Sequence, residues 1–295
     1  MPFAYLRPTS LPEAIALLAQ DGGRARPLAG GTDLLVQLRA ERYQLDRVVD
    51  IKAIPELAEL RYDPVDGLTL GAAVPCYRIY EDPAILAHYP GLVDAVSILG
   101  GVAIQGRATV GGNLCNASPS ADVTPVLAVM GAICMISGPL GSRTVAVAEF
   151  CTAPGQTSLD NGELLVSIQV PAPAPNSGAA YLRFTPRREM DIAVAGAAAW
   201  VALADDQRTI AEARLALAAV GPTMILVDHL SEALVGTDGG EAALEAAARR
   251  ARDSARPITD MRGSASQRRH LAGVLAKRVL QVAIERARQA FPPND

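Results

Sequence analysis

The chain has 295 residues, half of them apolar, with 27 basic and 31 acidic residues and a formal net charge of −4. This length exceeds that of a usual single domain, so two or three compact units are expected. The mixed charges and an aromatic content of 4% argue against nucleic-acid binding, and no apolar run reaches the ~18 residues of a membrane span. Because the first residues contain no export signal, we expect a cytoplasmic protein with no transmembrane segment.

The cysteines and histidines are too scattered to build a metal centre. The four cysteines include no CxxC pair, and each of the three histidines stands alone. The sequence therefore predicts free thiols, no metal ligand and no catalytic triad. No other side chain is singled out as a catalytic acid or base.

A short helix is the first predicted element, because Ser10 and Glu13 have the spacing of a capping box ahead of an apolar face. The next segment, at 25–40, reads ARPLAGGTDLLVQLRA. This pattern predicts a strand, a glycine turn and then a helix capped by Thr32 or Asp33.

The middle of the chain is expected to be richer in strands. Residues 47–51 look like a buried strand, and 59–74 place a Pro/Asp/Gly turn between two alternating runs, which predicts a hairpin. Residues 76–99 have helical periodicity interrupted by two prolines. The segment 100–131 then contains six glycines.

A proline-rich segment at 170–178 predicts a linker, so we place a boundary near residue 175. Beyond it, two strand patterns flank a turn at 205–207, and helical patterns cover 241–255 and 264–290. The apolar stripe of the last helix is interpreted as core packing rather than as a partner-binding face.

Two glycine pairs in the sequence indicate a ligand-binding site. AGGTD, at 29–33, supplies backbone N–H groups that can converge on an anion, without a Cβ in the way, at the start of a helix. A single glycine pair usually makes only a turn. TVGGN, at 109–113, repeats the pattern, and the two together predict a phosphate or dinucleotide site. Asp122 is either an acceptor for sugar hydroxyls or the N-cap of the next helix.

Four segments resemble the FAD-binding medium subunit of molybdenum hydroxylases, a family that includes the flavoprotein parts of xanthine dehydrogenase and aerobic carbon monoxide dehydrogenase. They are AGGTD, TVGGNLCNASPSAD, RREMDIAVAG at 187–196 and DMRGSASQRRHL at 260–271. The match follows the family order along nearly the whole chain.

The resemblance implies an α+β fold. Its first part is a vanillyl-alcohol-oxidase/PCMH-type FAD-binding domain made of two subdomains, which map onto residues 1–57 and 58–174. Its second part is an α+β domain of the carbon monoxide dehydrogenase flavoprotein C-terminal type, at 175–295.

The resemblance also implies which residues contact FAD. Asp122 matches the acidic residue that contacts sugar-derived hydroxyls, Leu165 a backbone contact to the flavin ring, and Arg183 a position near the ring where relatives often carry lysine. Two segments match the pyrophosphate contacts: Leu28, Ala29, Gly30, Gly31, Thr32, Asp33 and Leu34, and then Thr109, Val110, Gly111, Gly112 and Asn113.

The function implied is an electron relay. In the family, a large subunit carries the molybdenum cofactor, a small subunit carries [2Fe-2S] clusters, and FAD passes their electrons to an external acceptor. The resemblance implies both partners, assembled as a dimer of heterotrimers. Substrate and terminal acceptor stay open.

Other interpretations differ in class. A stand-alone reductase of the same fold, resembling UDP-N-acetylenolpyruvoylglucosamine reductase, would need its own proton donor, and the sequence offers no convincing one. A scaffold without cofactor would be expected to lose the glycine pairs, which are intact. Arg187 and Arg188 either lie near the flavin or a partner, or form a solvated turn paired with Glu189 or Asp191.

Overall fold

The computed structural model describes residues 3–20, 23–187 and 189–289. Its main strands form a parallel sheet, a larger antiparallel sheet and a second antiparallel sheet, in chain order. The strands are β1 (Ala4–Leu6), β2 (Ala25–Leu28), β3 (Arg47–Asp50), β4 (Leu60–Asp63), β5 (Gly67–Gly71), β6 (Ile133–Gly138), β7 (Gly141–Ala146), β8 (Cys151–Ala153), β9 (Gln156–Thr157), β10 (Leu164–Val170), β11 (Ser177–Phe184), β12 (Ala195–Leu203), β13 (Ile210–Ala218) and β14 (Ile225–Leu226).

The helices cover the faces of these sheets and connect their strands. They are α1 (Leu11–Ala19), α2 (Leu34–Arg39), α3 (Cys76–Tyr80), α4 (Pro83–His88), α5 (Pro90–Val96), α6 (Val102–Gln105), α7 (Val110–Asn116), α8 (Val123–Val129), α9 (Val147–Phe150), α10 (Ser231–Leu234), α11 (Glu241–Ser254) and α12 (Ala265–Gln289).

The first sheet has the order β1-β3-β2, and its strands are all parallel. Because parallel strands end at the same edge, the segments that follow β2 and β3 are neighbours. These segments are the AGGTD turn at 29–33 and the residues directly after Asp50. The topology therefore places the first glycine pair at the carboxyl edge of this sheet.

The second sheet has the order β4-β5-β10-β6-β7. The predicted hairpin is confirmed, since β4 and β5 pair antiparallel with Asp63 opposite Gly67. Helices α3, α5, α7 and α8 bury their apolar residues together with β5, β6 and β10 in the largest core cluster of the described chain. The two prolines divide 76–99 into three helices, α3, α4 and α5, as the broken periodicity predicts.

The third sheet, β11-β12-β13-β14, is antiparallel and lies between two sets of helices. α12 packs on one face, with α11 packed against α12, and α5 and α8 of the preceding part pack against β11, β12 and β13. The alanines of β12 are buried on both faces, and their small side chains let helices approach from both sides. The predicted boundaries near 57 and 175 fall between sheets and stay predictions.

Two predicted helix caps are wrong in detail. α1 begins after Ser10, but the Ser10 hydroxyl makes no capping bond, and Glu13 accepts the N–H of Thr9 at 3.1 Å instead. α2 has no side-chain cap, because Asp33 at its N-cap has helical rather than extended backbone angles. The last helix ends within the predicted span, and residue 290 lies outside the described residues.

One ion pair connects the last helix to the preceding part of the chain. Nη1 and Nη2 of Arg286 bond the two carboxylate oxygens of Asp94 at 2.6 and 3.0 Å, and Nη1 also donates to the Ala179 carbonyl at 2.8 Å. About three quarters of each charged side chain is buried. A bidentate pair of this kind is geometrically specific, so it holds α12, α5 and β11 together.

Replacing Arg286 with alanine is expected to lower the free energy of unfolding by about 2 kcal/mol, because Asp94 loses its bidentate partner in a partly buried position. Urea denaturation of the full chain measures this change. The matched control is Arg208→Ala, whose pair with Asp238 is largely exposed and should contribute little. Equal effects of the two substitutions would contradict the bridging role of Arg286.

Candidate functional site

A cleft of about 720 Å³ contains both glycine segments. This volume is in the range of small-molecule sites, roughly 300–1,000 Å³. Most of the predicted pyrophosphate contacts line it, together with Leu165. They are Ala29, Gly30, Gly31, Thr32, Asp33, Leu34, Thr109, Gly111, Gly112 and Asn113. Leu28 and Val110 are buried beside these segments and are not part of its wall.

The first segment is a turn that leaves its amides free. Gly31 has a φ of +77°, and the Gly31 carbonyl accepts the N–H of Leu35 to start α2. Within the described part of the chain, the N–H groups of Gly30, Gly31, Thr32 and Asp33 have no acceptor. Unsatisfied N–H groups at the start of a helix form a favourable site for an anion.

The second segment differs from the prediction, because its glycines lie in the first turn of a helix rather than in a glycine turn. α7 begins at Val110, and Thr109 is its N-cap, with Oγ1 accepting the N–H of Gly112 at 2.9 Å. The positive end of the helix dipole therefore faces the cleft. Asn113 Oδ1 is buried there without a partner among the described residues, which leaves its amide available to a ligand.

Two contacts hold the segments together. A Cβ on Gly30 would lie 2.0 Å from the carbonyl oxygen of Arg107, so only glycine permits this approach. Gln37 Nε2 in α2 donates to Asn116 Oδ1 at the end of α7 at 2.9 Å. The turn at 29–33 and the start of α7 therefore line the same cleft.

Lys52 supports the first turn, a role that was not predicted from the sequence. Its Nζ lies 2.5 Å from Asp50 Oδ1 and donates to the Ala29 carbonyl at 3.2 Å, while the Tyr5 hydroxyl donates to Asp50 Oδ2. Burial disfavours a charged Asp50, but the hydrogen bonds from Lys52 and Tyr5 outweigh it and lower the Asp50 pKa. The one sequence feature that could have indicated this contact is the position of Asp50, which ends a buried strand at the carboxyl edge of a parallel sheet.

Asp122 and Arg183 lie outside the cleft wall and pair with each other. Arg183 Nη1 is 2.6 Å from Asp122 Oδ2, with 6% and 8% of the two side chains exposed. The Tyr181 hydroxyl donates to Asp122 Oδ1 at 2.7 Å, and Arg183 Nη2 donates to the Ile98 carbonyl at 2.9 Å. Burial raises the pKa of Asp122, and Arg183 and Tyr181 act against that shift.

The N-cap alternative for Asp122 is correct in position only. Asp122 directly precedes α8, yet its side chain makes no capping bond because its backbone is already helical. Its direct contact with a cofactor, and that of Arg183, stay predictions. Arg187 Nε lies 3.5 Å from Asp191 on the surface, as in a solvated turn, and Arg188 is outside the described residues.

Only some of the other residues that line the cleft could be predicted from the sequence. Leu165, on β10, is 1% exposed and lines the cleft, while its backbone contact to the flavin ring stays a prediction. Leu99, Ala108, Arg26 and Tyr43 line it too. No pattern in the sequence distinguishes these residues from ordinary core or surface positions, because the fold alone brings them to the cleft.

The described part of the chain contains no cluster of His, Cys, Asp and Glu that could hold a metal ion, and its four cysteines are free thiols. In the same residues, no helix is both long and apolar enough to cross a membrane. A cleft with free N–H groups, a helix N-terminus and apolar walls is typical of a protein that binds a phosphate-containing ligand such as a dinucleotide.

Comparison with known proteins identifies the dinucleotide and the family. Residues 1–173 match the family described as the FAD binding domain in molybdopterin dehydrogenase, and residues 180–283 match the carbon monoxide dehydrogenase flavoprotein C-terminal domain. The chain therefore belongs to the family of FAD-binding medium subunits of molybdenum hydroxylases. It is an oxidoreductase component with FAD as its cofactor, and the predicted fold class is confirmed.

Similar proteins cover the chain from end to end. A putative xanthine dehydrogenase FAD-binding subunit of Escherichia coli K12 is 34% identical, over 96% of this chain and 97% of the relative. The carbon monoxide dehydrogenase of Hydrogenophaga pseudoflava that lacks the Mo-pyranopterin moiety aligns with a TM-score of 0.92 at 32% identity, over 97% and 98% of the two chains. Quinoline 2-oxidoreductase of Pseudomonas putida 86 gives 0.90 at 30%, over 98% and 99%.

Replacing Gly112 with valine is expected to abolish FAD retention, because a branched side chain would enter the cleft at the start of α7. A Cβ at this position would lie 2.8 Å from Thr109 Oγ1, so this hydroxyl would have to shift, but among the described residues outside α7 it would meet no backbone atom within 4 Å, and the fold should survive. The flavin absorbance of the purified chain measures the loss, and circular dichroism checks the fold.

The matched control is Gly106→Val, since Gly106 is exposed and a Cβ there meets nothing within 4 Å. This variant should retain FAD as the unchanged chain does. A folded Gly112→Val variant with normal flavin content would contradict the assignment of α7 to the cofactor site.

Proposed function

We propose that this chain is the flavoprotein subunit of a heteromeric molybdenum hydroxylase, where electrons from [2Fe-2S] clusters of a partner pass through FAD to an external acceptor. The observation that carries the proposal is the single cleft shared by residues 29–34 and 109–113. When bound, FAD supplies a centre that accepts and releases electrons one or two at a time.

The residues of this chain would bind and orient the cofactor. The free N–H groups of Gly30 to Asp33 and the N-terminus of α7 would face the pyrophosphate. Asn113, with an unpartnered buried amide oxygen, would contact the dinucleotide beside them. Leu99 and Leu165 would exclude water from the apolar part of FAD. The free N–H groups and the apolar lining of the cleft both support a fit to the cofactor.

The distribution of cofactors over different chains supports the proposed electron relay. The described residues hold no metal-binding cluster, and the similar carbon monoxide dehydrogenase chain of Hydrogenophaga pseudoflava is called a medium chain. We therefore propose a large subunit with the molybdenum cofactor and a small subunit with the [2Fe-2S] clusters, in a dimer of heterotrimers. The four free thiols support work in a reducing compartment such as the cytoplasm.

The substrate of the complete enzyme would be selected by the partner subunit. Similar chains belong to enzymes named for xanthine, carbon monoxide, caffeine and glyceraldehyde, which share little chemistry. Flavin-binding chains of one type occur in enzymes that act on such different substrates. This supports a role for the chain after the substrate has been oxidised. The division of the chain at 57 and 175 fits this role, with the two FAD-binding subdomains followed by the C-terminal domain.

An affinity-tagged full chain purified from its own host tests the proposal. FAD, molybdenum and iron are expected in the same chromatographic peak, because the three cofactors would reside in one complex. The chain made alone should bind FAD but show no turnover with oxidisable substrates. Steady turnover by the isolated, metal-free chain would overturn the relay and favour a stand-alone reductase.

A further inference from the structure

Tyr181 lies where the third sheet meets the FAD-binding part. It is a central residue of β11 and is 2% exposed. Two aspartates from the preceding part hold it, since its hydroxyl donates to Asp122 Oδ1 at 2.7 Å and its backbone N–H donates to Asp94 Oδ2 at 3.1 Å. Both groups of this residue therefore bond to carboxylates across the contact between sheet and helices.

The neighbouring strand makes room for the hydroxyl. On β12, a Cβ at Gly196 would lie 2.6 Å from Tyr181 Oη, which is closer than a methyl group can approach. Gly196 is also the residue opposite Arg183 in the pairing of β11 with β12. The glycine thus leaves space for the tyrosine hydroxyl to reach Asp122.

A continuous series of hydrogen bonds leads from this hydroxyl to Ile98, the residue next to the cleft wall. Asp122 accepts from both Tyr181 and Arg183, and Arg183 donates onward to the Ile98 carbonyl at 2.9 Å. Ile98 directly precedes Leu99, which lines the cofactor cleft. Asp122 and Arg183 are both almost completely buried, so each depends on protein partners rather than water for its orientation.

We propose that Tyr181 is a positioning residue of the FAD site: its hydroxyl fixes the Asp122 carboxylate, which orients Arg183 and so holds the 98–99 backbone at the cleft wall. The inference rests on FAD binding by this chain. It extends the cofactor site to a residue of the C-terminal sheet that does not line the cleft, and it accounts for Gly196.

The test is the substitution Tyr181→Phe in the full chain. Removing the hydroxyl takes one of two side-chain donors from a buried carboxylate, and we expect the FAD dissociation constant to rise by about tenfold. The visible bands of bound FAD should shift as well, because the wall of the cleft moves. Titration of the apoprotein with FAD, followed by flavin fluorescence, measures the constant.

Tyr89→Phe is the matched control. Tyr89 is 3% exposed and donates to the Pro171 carbonyl at 3.1 Å, so it is an equally buried, hydrogen-bonded tyrosine of the same core without contact to Asp122. Both variants should lose thermal stability, but Tyr89→Phe should leave the FAD dissociation constant and spectrum unchanged. An equal weakening of FAD binding in both variants would reduce the role of Tyr181 to general packing.

A second variant, Gly196→Ala, displaces the hydroxyl without removing it and should weaken FAD binding in the same direction. The inference is overturned if folded Tyr181→Phe and Gly196→Ala proteins bind FAD within twofold of the unchanged chain. Failure of the unchanged chain itself to bind FAD would instead overturn the FAD-binding function, so the two failures are distinguishable.

Discussion

The cofactor site depends on the close approach of Gly30 to the Arg107 carbonyl. Any side chain at residue 30 would collide with that oxygen and separate the two segments. With the approach in place, the free N–H groups of the first turn and the N-terminus of α7 face the same cleft. Each segment alone is a weak anion site, but two converging on one cleft match a pyrophosphate with its two negative charges. One steric constraint therefore brings the two segments to the same cleft.

Buried charges then fix the C-terminal sheet against this site. Asp94 pairs with Arg286 of α12, and Asp122 pairs with Arg183 of β11. Such pairs contribute little net stability compared with apolar packing, but they specify one arrangement because an unpaired partner is costly. In an FAD-binding subunit, that specificity has a direct use, since the environment of the flavin must be constant while the cofactor changes its redox state. We infer that the two ion pairs fix the position of the C-terminal sheet more than they add to the stability of the fold.

Much of the fold could be predicted because it depends on local patterns. The β4–β5 hairpin, the three proline-separated helices and α12 follow from periodicity and turn residues, and the glycine pairs indicated the site. The helical conformation of Gly111 and Gly112 was not predicted, because glycine pairs more often form turns. The Asp122–Arg183 pair and the support of Ala29 by Lys52 depend on residues far apart in the chain or on sheet order. Sequence spacing does not reveal these contacts, and the family resemblance singled out Asp122 and Arg183 without predicting that they pair with each other.

The most direct test is a crystal structure of the full chain with FAD bound. We expect the pyrophosphate between residues 29–33 and the N-terminus of α7, within hydrogen-bonding distance of backbone N–H groups from both. Leu99 and Leu165 should contact the apolar part of the cofactor. A pyrophosphate that contacts only one of the two segments, or FAD bound outside this cleft, would contradict the account.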